Sequence, residues 1–268
     1  MTNKIYLSTG AFIGRVNGRN YKLLNEYADR LDCDGFEVMV FADWYKNLDT
    51  VIHAFKTGAA ACPVVHADKD TGDTSEGVDR SEALEMWKTN CRFAAEIGAG
   101  QIVAHMWGYP DSDRDQEYLY ERCGLYREIA AGYGLDLLVE NIVCRVKNPL
   151  AHFEALAGIY PGIGFVIDTR HAQFHAEAEA IFQSRVWKDG NIRHFHVSDY
   201  TGGYMDWEGF RKILQPGTGV IDFSVYFEYI KKTGFTGTLT LEAPSMREEG
   251  VDTETLNRSL NFIRRGIS

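Results

Sequence analysis

Leu137-Leu138-Val139-Glu140, Phe165-Val166-Ile167-Asp168 and Leu239-Thr240-Leu241-Glu242 are three short, mainly apolar runs that each end in a carboxylate. Runs this short, without polar alternation, read as strands covered on both faces, the condition of a parallel sheet clothed in helices. Outward from them the pattern recurs, with strand candidates at 5–8, 35–41, 63–66, 101–105, 136–141, 164–168, 192–198 and 238–242. Segments of helical period lie between, near 20–31, 47–58, 81–97, 115–132, 149–157, 175–183, 222–232 and 252–265, and Asp222 is placed to cap the seventh. Each parallel strand needs a helical crossover, so eight such units in 268 residues predict an α/β fold, a (β/α)8 TIM barrel. A doubly wound open sheet would carry a glycine-rich phosphate turn after its first strand, and Thr9-Gly10-Ala11-Phe12-Ile13-Gly14 matches that fingerprint poorly. No Pro/Ser-rich linker or low-complexity tract interrupts the alternation, so residues 1–268 are expected to form one domain.

Composition narrows the function. With 45% hydrophobic residues, 13% aromatics and 6 prolines the chain can build a large core, which excludes disordered and collagen-like classes. The net charge, 28 − 38 = −10, repels phosphodiester backbones, argues against nucleic-acid partners and suits a neutral substrate or a cation. The five cysteines are odd in number and widely spaced with no C-x-x-C pair, which points to a reducing, cytoplasmic setting. The N-terminus enters a strand-like run at once, so no signal peptide is expected, and no stretch reaches the roughly 18 apolar residues of a membrane span.

Chemistry-bearing residues cluster where the strands end. Glu37 lies in the second run, His66 ends the third, His105 the fourth, Glu140 the fifth and Asp168 the sixth; His196 lies in the seventh and Glu242 ends the eighth. In a barrel these ends converge on one mouth, which brings carboxylates and an imidazole together. Packed like charges are costly unless a cation neutralises them. A strand-end acid is equally a helix cap or a solvated loop residue when taken alone, but that reading must then hold three times over.

The runs Leu138-Val139-Glu140-Asn141, Val166-Ile167-Asp168-Thr169-Arg170-His171, His194-Phe195-His196-Val197-Ser198-Asp199 and Thr240-Leu241-Glu242 resemble the xylose-isomerase-like TIM barrels, the superfamily of sugar phosphate isomerases/epimerases and type IV AP endonucleases. The resemblance implies Glu140, Asp168, His196 and Glu242 as a metal quartet, with His171 facing the substrate. It also implies that His66 and His105 contact substrate, as in many isomerases, or hold an additional zinc with Glu140, as in the endonucleases. Mostly oxygen ligands favour Mn²⁺, Mg²⁺ or Co²⁺ over a closed zinc site, with Zn²⁺ still compatible. One divalent cation would polarise the carbonyl of a bound ketose; Glu140 and Glu242 would then remove and return a proton through a cis-enediolate, with His171 or Asp199 hydrogen-bonding the developing oxyanion.

The expected activity is therefore metal-dependent isomerisation or epimerisation of a small sugar, sugar phosphate or related ketone. The alternatives are an AP-endonuclease-IV-like phosphodiester hydrolase and a sugar-binding barrel without turnover. Against the hydrolase, Asp206-Trp207-Glu208 stands in the region of the D-x-H pair expected for a third zinc, and the loop 67–73 is acidic. Arg170 departs from the small residue common at its position.

Lesser candidates have competing readings. Gly217-Thr218-Gly219 could offer amides to a phosphate, or be a tight turn. Trp44, Tyr45, Trp107, Tyr109, Tyr200, Tyr204 and Trp207 could form a lid, pack under loops or bury an interface of a homo-oligomer. Arg145, Lys147, Arg170 and Arg247 are candidate anion ligands or surface ion pairs. His53, His152, His175 and His194 are assigned no role, being on helices or the outer strand face.

Overall fold

The computed structural model, described over residues 3–72, 79–108 and 112–268, is built on strands that each leave the sheet into a helical return. The strands are β1 (Ile5–Ser8), β2 (Phe36–Met39), β3 (Val64–His66), β4 (Gln101–Ala104), β5 (Asp136–Glu140), β6 (Gly164–Asp168), β7 (Ile192–Val197) and β8 (Thr238–Leu241). All neighbours pair in parallel, and β8 pairs with β1, which closes the barrel. No helix among the described residues is long and apolar enough to cross a membrane.

The helices are α1 (Lys22–Tyr27), α2 (Leu48–Thr57), α3 (Arg80–Glu96), α4 (Gln116–Gly132), α5 (Pro149–Ile159), α6 (Thr169–Phe174), α7 (Ala178–Gln183), α8 (Arg185–Lys188), α9 (Phe223–Thr233) and α10 (Thr253–Ile267). Local signals place them. Asn148 accepts the Ala151 amide at 2.9 Å with Pro149 opening α5, Asp222 accepts the Ser224 amide at 3.0 Å, and Gly234 ends α9 in the left-handed region at φ 65°. Two expectations are corrected. The helix expected over 20–31 is α1 followed by a 3₁₀ turn at Ala28–Arg30. The helix expected over 175–183 is the shorter α7, and the return from β6 holds two further helices outside that range: α6 starts directly after β6 because the Asp168 carboxylate caps it, the chain breaks at Ala176, φ 53°, before α7, and α8 follows.

Strand alternation divides the core. Outward residues such as Leu7, Val38, Val65, Ile102, Val139, Ile167, Phe195 and Leu241 join the main hydrophobic cluster with the helices. Inward, Tyr6, Val64, Val103, Leu138 and Val166 form a separate cluster. Two residues further along the same strands, on the same face, come Ser8, His66, His105, Glu140 and Asp168. At the depth of the apolar cluster, β2, β7 and β8 contribute Glu37, His194 and Thr240, all fully buried.

Candidate functional site

Glu140 is the centre of the arrangement. Its Oε1 lies 3.1 Å from His196 Nδ1 and 3.8 Å from His171 Nδ1. Its Oε2 lies 3.1 Å from His66 Nε2 and 2.9 Å from His105 Nε2. Glu242 Oε2 approaches the same His196 Nδ1 at 3.0 Å. Asp168 joins Glu140, His196 and Glu242 in a set whose ligand atoms all lie within 4.8 Å of one another; His66, His105 and Glu140 form a second such set. Glu140 belongs to both.

Neighbours fix how these groups point. Asp168 Oδ1 accepts the amides of Arg170 at 2.7 Å and His171 at 3.0 Å, which leaves Oδ2 for the cluster. Asn141 clamps the strand end, its Oδ1 accepting the Asp168 amide at 2.6 Å. Glu37 Oε1 lies 3.0 Å from His196 Nε2, so a proton held there leaves Nδ1 free toward the carboxylates. Glu37 Oε2 in turn meets His194 Nε2 at 2.9 Å and the Thr240 hydroxyl at 2.7 Å. His66 Nδ1 faces the Ala67 carbonyl at 2.9 Å and directs Nε2 inward in the same way.

Without a cation the cluster balances its charge with protons. Burial opposes ionisation of Glu140, but the charges of His196 and His105 outweigh it and hold the carboxyl well below its ordinary range. Glu37 is held low against its burial by His196 and by the His194 hydrogen bond. Burial disfavours charged His66 and His196, yet the carboxylates around them dominate: His66 rises to about 9 and His196 well above its usual value. Asp168 is raised by burial and, among the nearby charges, by Glu140. His171 is driven well below its usual value by burial and Arg170, and its buried Nδ1 has no hydrogen-bond partner. Three carboxylates and an imidazole, with Asp168 steered by the Arg170 and His171 amides and His196 by Glu37, fit a divalent cation that would replace the proton on His196 Nδ1.

A cavity of about 500 Å³ opens onto this cluster, lined by His66, His105, Glu140, Asp168, His171 and Glu242 together with Gly10, Arg15, Arg19, Phe41, Lys69 and Arg170. The family model for the xylose isomerase-like TIM barrel matches residues 26–266. The chain belongs to this family. A xylose isomerase-like barrel accounts for the convergence of strand ends. An uncharacterized protein of Methanocaldococcus jannaschii, MJ1311, is 25% identical over 227 residues, 76% of this chain and 72% of that one. The apo structure of 3-keto-D-glucoside 4-epimerase, YcjR, from E. coli superposes with a TM-score of 0.70 at 20% identity, covering 98% of this chain and 99% of its own. The IolI protein with a bound zinc atom gives 0.71 at 15% identity, covering 99% and 98%.

Within this family barrel, most of the residues singled out in the sequence meet: Glu140, Asp168, His196, Glu242, His66, His105 and His171 all face the cavity or its floor. Asp199 does not, and its expected contact with substrate is corrected. It is fully buried, and its oxygens accept the amides of Tyr200, Gly217, Gly219 and Ile221 at 2.7, 2.9, 2.8 and 3.2 Å. The Gly217 and Gly219 amides are thereby engaged inside the protein, so that loop is a turn and no phosphate cradle. The aromatic lid is also corrected. Trp44, Trp107 and Tyr200 are buried packing residues, Tyr45 accepts from Asn90, and Trp207 packs on Phe174 with ring centroids 4.6 Å apart. Tyr204 is 70% exposed, while Tyr109, like Asp73 of the acidic loop, lies outside the described residues.

Two residues gain a place the sequence reading did not give them. His194 shares the inward face of β7 with His196, so its assignment to the outer face is overturned, and Glu37 orients His196 from below. A separate buried group, Asp113, Cys144 and His152, lies away from the cavity. There Asp113 Oδ2 accepts the Val146 and Lys147 amides at 3.0 and 2.8 Å and ties down the loop after β5.

Proposed function

We propose that the protein is a metal-dependent epimerase or isomerase that moves a proton at a carbon next to a sugar carbonyl. The observation that carries this reading is the pair of carboxylates, Glu140 and Glu242, both within 3.1 Å of His196 Nδ1 at the cavity floor. Glu140, Asp168, His196 and Glu242 would hold the cation. Once bound, a divalent ion supplies electrophilic stabilisation of the substrate's carbonyl oxygen. Glu140 and Glu242 reach the cavity from strands on different sides of His196, so one takes the proton from carbon and the other returns it on the opposite face. Glu242 is suited to first contact, its side chain being 16% exposed against 2% for Glu140. His171, kept neutral by burial and Arg170, offers an uncharged hydrogen-bonding group beside them. Fold similarity to an epimerase supports the reading without fixing the sugar.

Glu140→Gln and Glu242→Gln are each expected to abolish solvent-deuterium incorporation at the substrate's α-carbon, followed by NMR over a panel of ketoses, with the folded far-UV spectrum retained. An amide keeps the shape but cannot accept the proton. Normal exchange in either variant removes that residue from the mechanism.

One observation favours the hydrolase as the second reading. His66 and His105 crowd Glu140 Oε2, the geometry of a second cation sharing that carboxylate. The third site such enzymes need has no counterpart among the described residues, since Asp206 Oδ1 accepts the Gly209 amide at 3.1 Å and caps a turn. Incision of abasic DNA by the metal-loaded protein would favour that reading.

A further inference from the structure

We propose that Arg170 is a positioning residue for the proton-transfer step: its guanidinium donates to His171 Nε2, which places the ring's single proton on Nδ1 and turns His171 into a hydrogen-bond donor for a substrate oxygen beside Glu140. This rests on the sugar-converting reading of the site and deepens it.

Of the four cationic candidates read from the sequence, Arg170 alone lines the cavity; Arg145 stacks on Trp207, Lys147 donates to Tyr120, and Arg247 pairs with Asp252. Its position is the one at which the chain departs from the small residue common in similar barrels, and a small side chain could not reach the histidine ring beside it.

The guanidinium is held from two sides. Asp168 Oδ1 accepts the amides of Arg170 and His171 at 2.7 and 3.0 Å, which fixes both residues on the first turn of α6. From that turn Arg170 NH1 donates to the Phe210 carbonyl at 2.9 Å, and its Cζ stands 4.1 Å from the centre of the Phe210 ring. The same ring packs against His171, with centroids 5.3 Å apart. Held in this way, Arg170 NH2 lies 3.2 Å from His171 Nε2.

The chemistry of the two groups sets the direction of that contact. A guanidinium carries donors and no acceptor, so Nε2 must accept with its lone pair. A neutral imidazole has one N–H, which is then on Nδ1. An imidazolium would set a second donor against the guanidinium, so the same contact opposes it. The far end of the ring agrees. Nδ1 is buried without a hydrogen-bond partner and lies 3.8 Å from Glu140 Oε1. A lone pair there would face a carboxylate oxygen, whereas an N–H is attracted to it. At 3.8 Å the two are too far apart for a hydrogen bond, so the donor is oriented but not consumed. A buried donor left unsatisfied is costly, and a substrate oxygen is the partner that the cavity can bring to it. As the proton leaves the neighbouring carbon, negative charge grows on that oxygen, and a donor fixed in advance stabilises it.

The test is two-bond proton–nitrogen correlation NMR of the ¹⁵N-histidine-labelled full chain loaded with Zn²⁺, with the His171 signals assigned by their loss in His171→Gln. The expected result is a protonated Nδ1 and an unprotonated Nε2. In Arg170→Ala the Nε2–H form is expected to become at least comparable in population, and kcat for α-proton exchange on a ketose that the wild type turns over is expected to fall about tenfold, with KM within about threefold. Arg170→Lys, whose ammonium can still donate to Nε2, is expected to keep the Nδ1–H form and most of kcat. A wild-type His171 protonated on Nε2 overturns the proposal, and so does an Nδ1–H form that persists unchanged in Arg170→Ala. An Arg170→Lys protein that holds the Nδ1–H form yet is as slow as Arg170→Ala overturns the link to catalysis. Absence of exchange with every ketose, with the Nδ1–H signature and its dependence on Arg170 intact, overturns the epimerase reading instead, so the two failures are distinguishable.

Discussion

Glu37 meets three side chains, His196, His194 and Thr240, and is fully buried, yet it does not line the cavity. Its effect is indirect: by accepting the proton on His196 Nε2 it fixes the ring's tautomer and turns Nδ1 toward the carboxylates. Partners of this kind typically matter 10–100-fold to metal affinity, and Glu37→Gln is expected to weaken chelator-competed metal binding by about that factor with the fold retained. Unchanged affinity would mean that the ring is oriented without it. The sequence displayed Glu37 as a carboxylate inside an apolar run, but which strands its side chain meets across the barrel depends on closure. The usable signal was that His194 and His196 are two apart and so share a face.

Between β7 and α9, Asp199 organises the long return. Four backbone amides converge on its carboxylate, and a Cβ at Gly219 would fall 2.4 Å from Asp199 Oδ1, so the loop closes only with glycine there. Asp199→Ala strands these buried amides. It is expected to cost about 2–4 kcal/mol in urea-monitored stability, at 1–3 kcal/mol per badly unsatisfied group with partial rescue by water, while metal occupancy is retained. Loss of metal with full stability would return Asp199 to the site. An aspartate just past a strand looks the same in sequence whether it faces substrate or receives a loop that folds back from twenty residues later. Strand and helix order were legible because hydrophobic period is local. The division of β6's return into α6, α7 and α8 was not, because the cap that starts α6 is one of the site's own residues.

At the scale of the molecule, a buried acid outside the site sets an alkaline limit to stability. Burial raises Glu177 from 4.5 to about 7, and its Oε2 has no hydrogen-bond partner. Folding thus favours the protonated form: the penalty is absent below the unfolded value, grows as pH rises between the two values and is complete above the folded one. Glu177→Gln removes it and is expected to stabilise the protein by about 1–3 kcal/mol near pH 8.5, with little gain near pH 4.5, in parallel urea titrations. An equal effect at both pH values would show that the charge is not the cause. The same contrast between local and distant information explains the site. Glu140, Asp168 and Glu242 stood out because each ends an apolar run, whereas the meeting of Glu37 with His194 and Thr240 beneath them joins strands far apart in sequence and is a product of the closed ring.

Whether one cation organises the cavity floor is decided most directly by metal-edge anomalous scattering from crystals of the purified protein. The expected result is a single strong peak among Glu140, Asp168, His196 and Glu242. A second strong peak between His66, His105 and Glu140, at the roughly 3.5–4 Å spacing of two-metal phosphoryl chemistry, would contradict the one-metal epimerase; no peak at all in metal-supplemented crystals would contradict the metal itself.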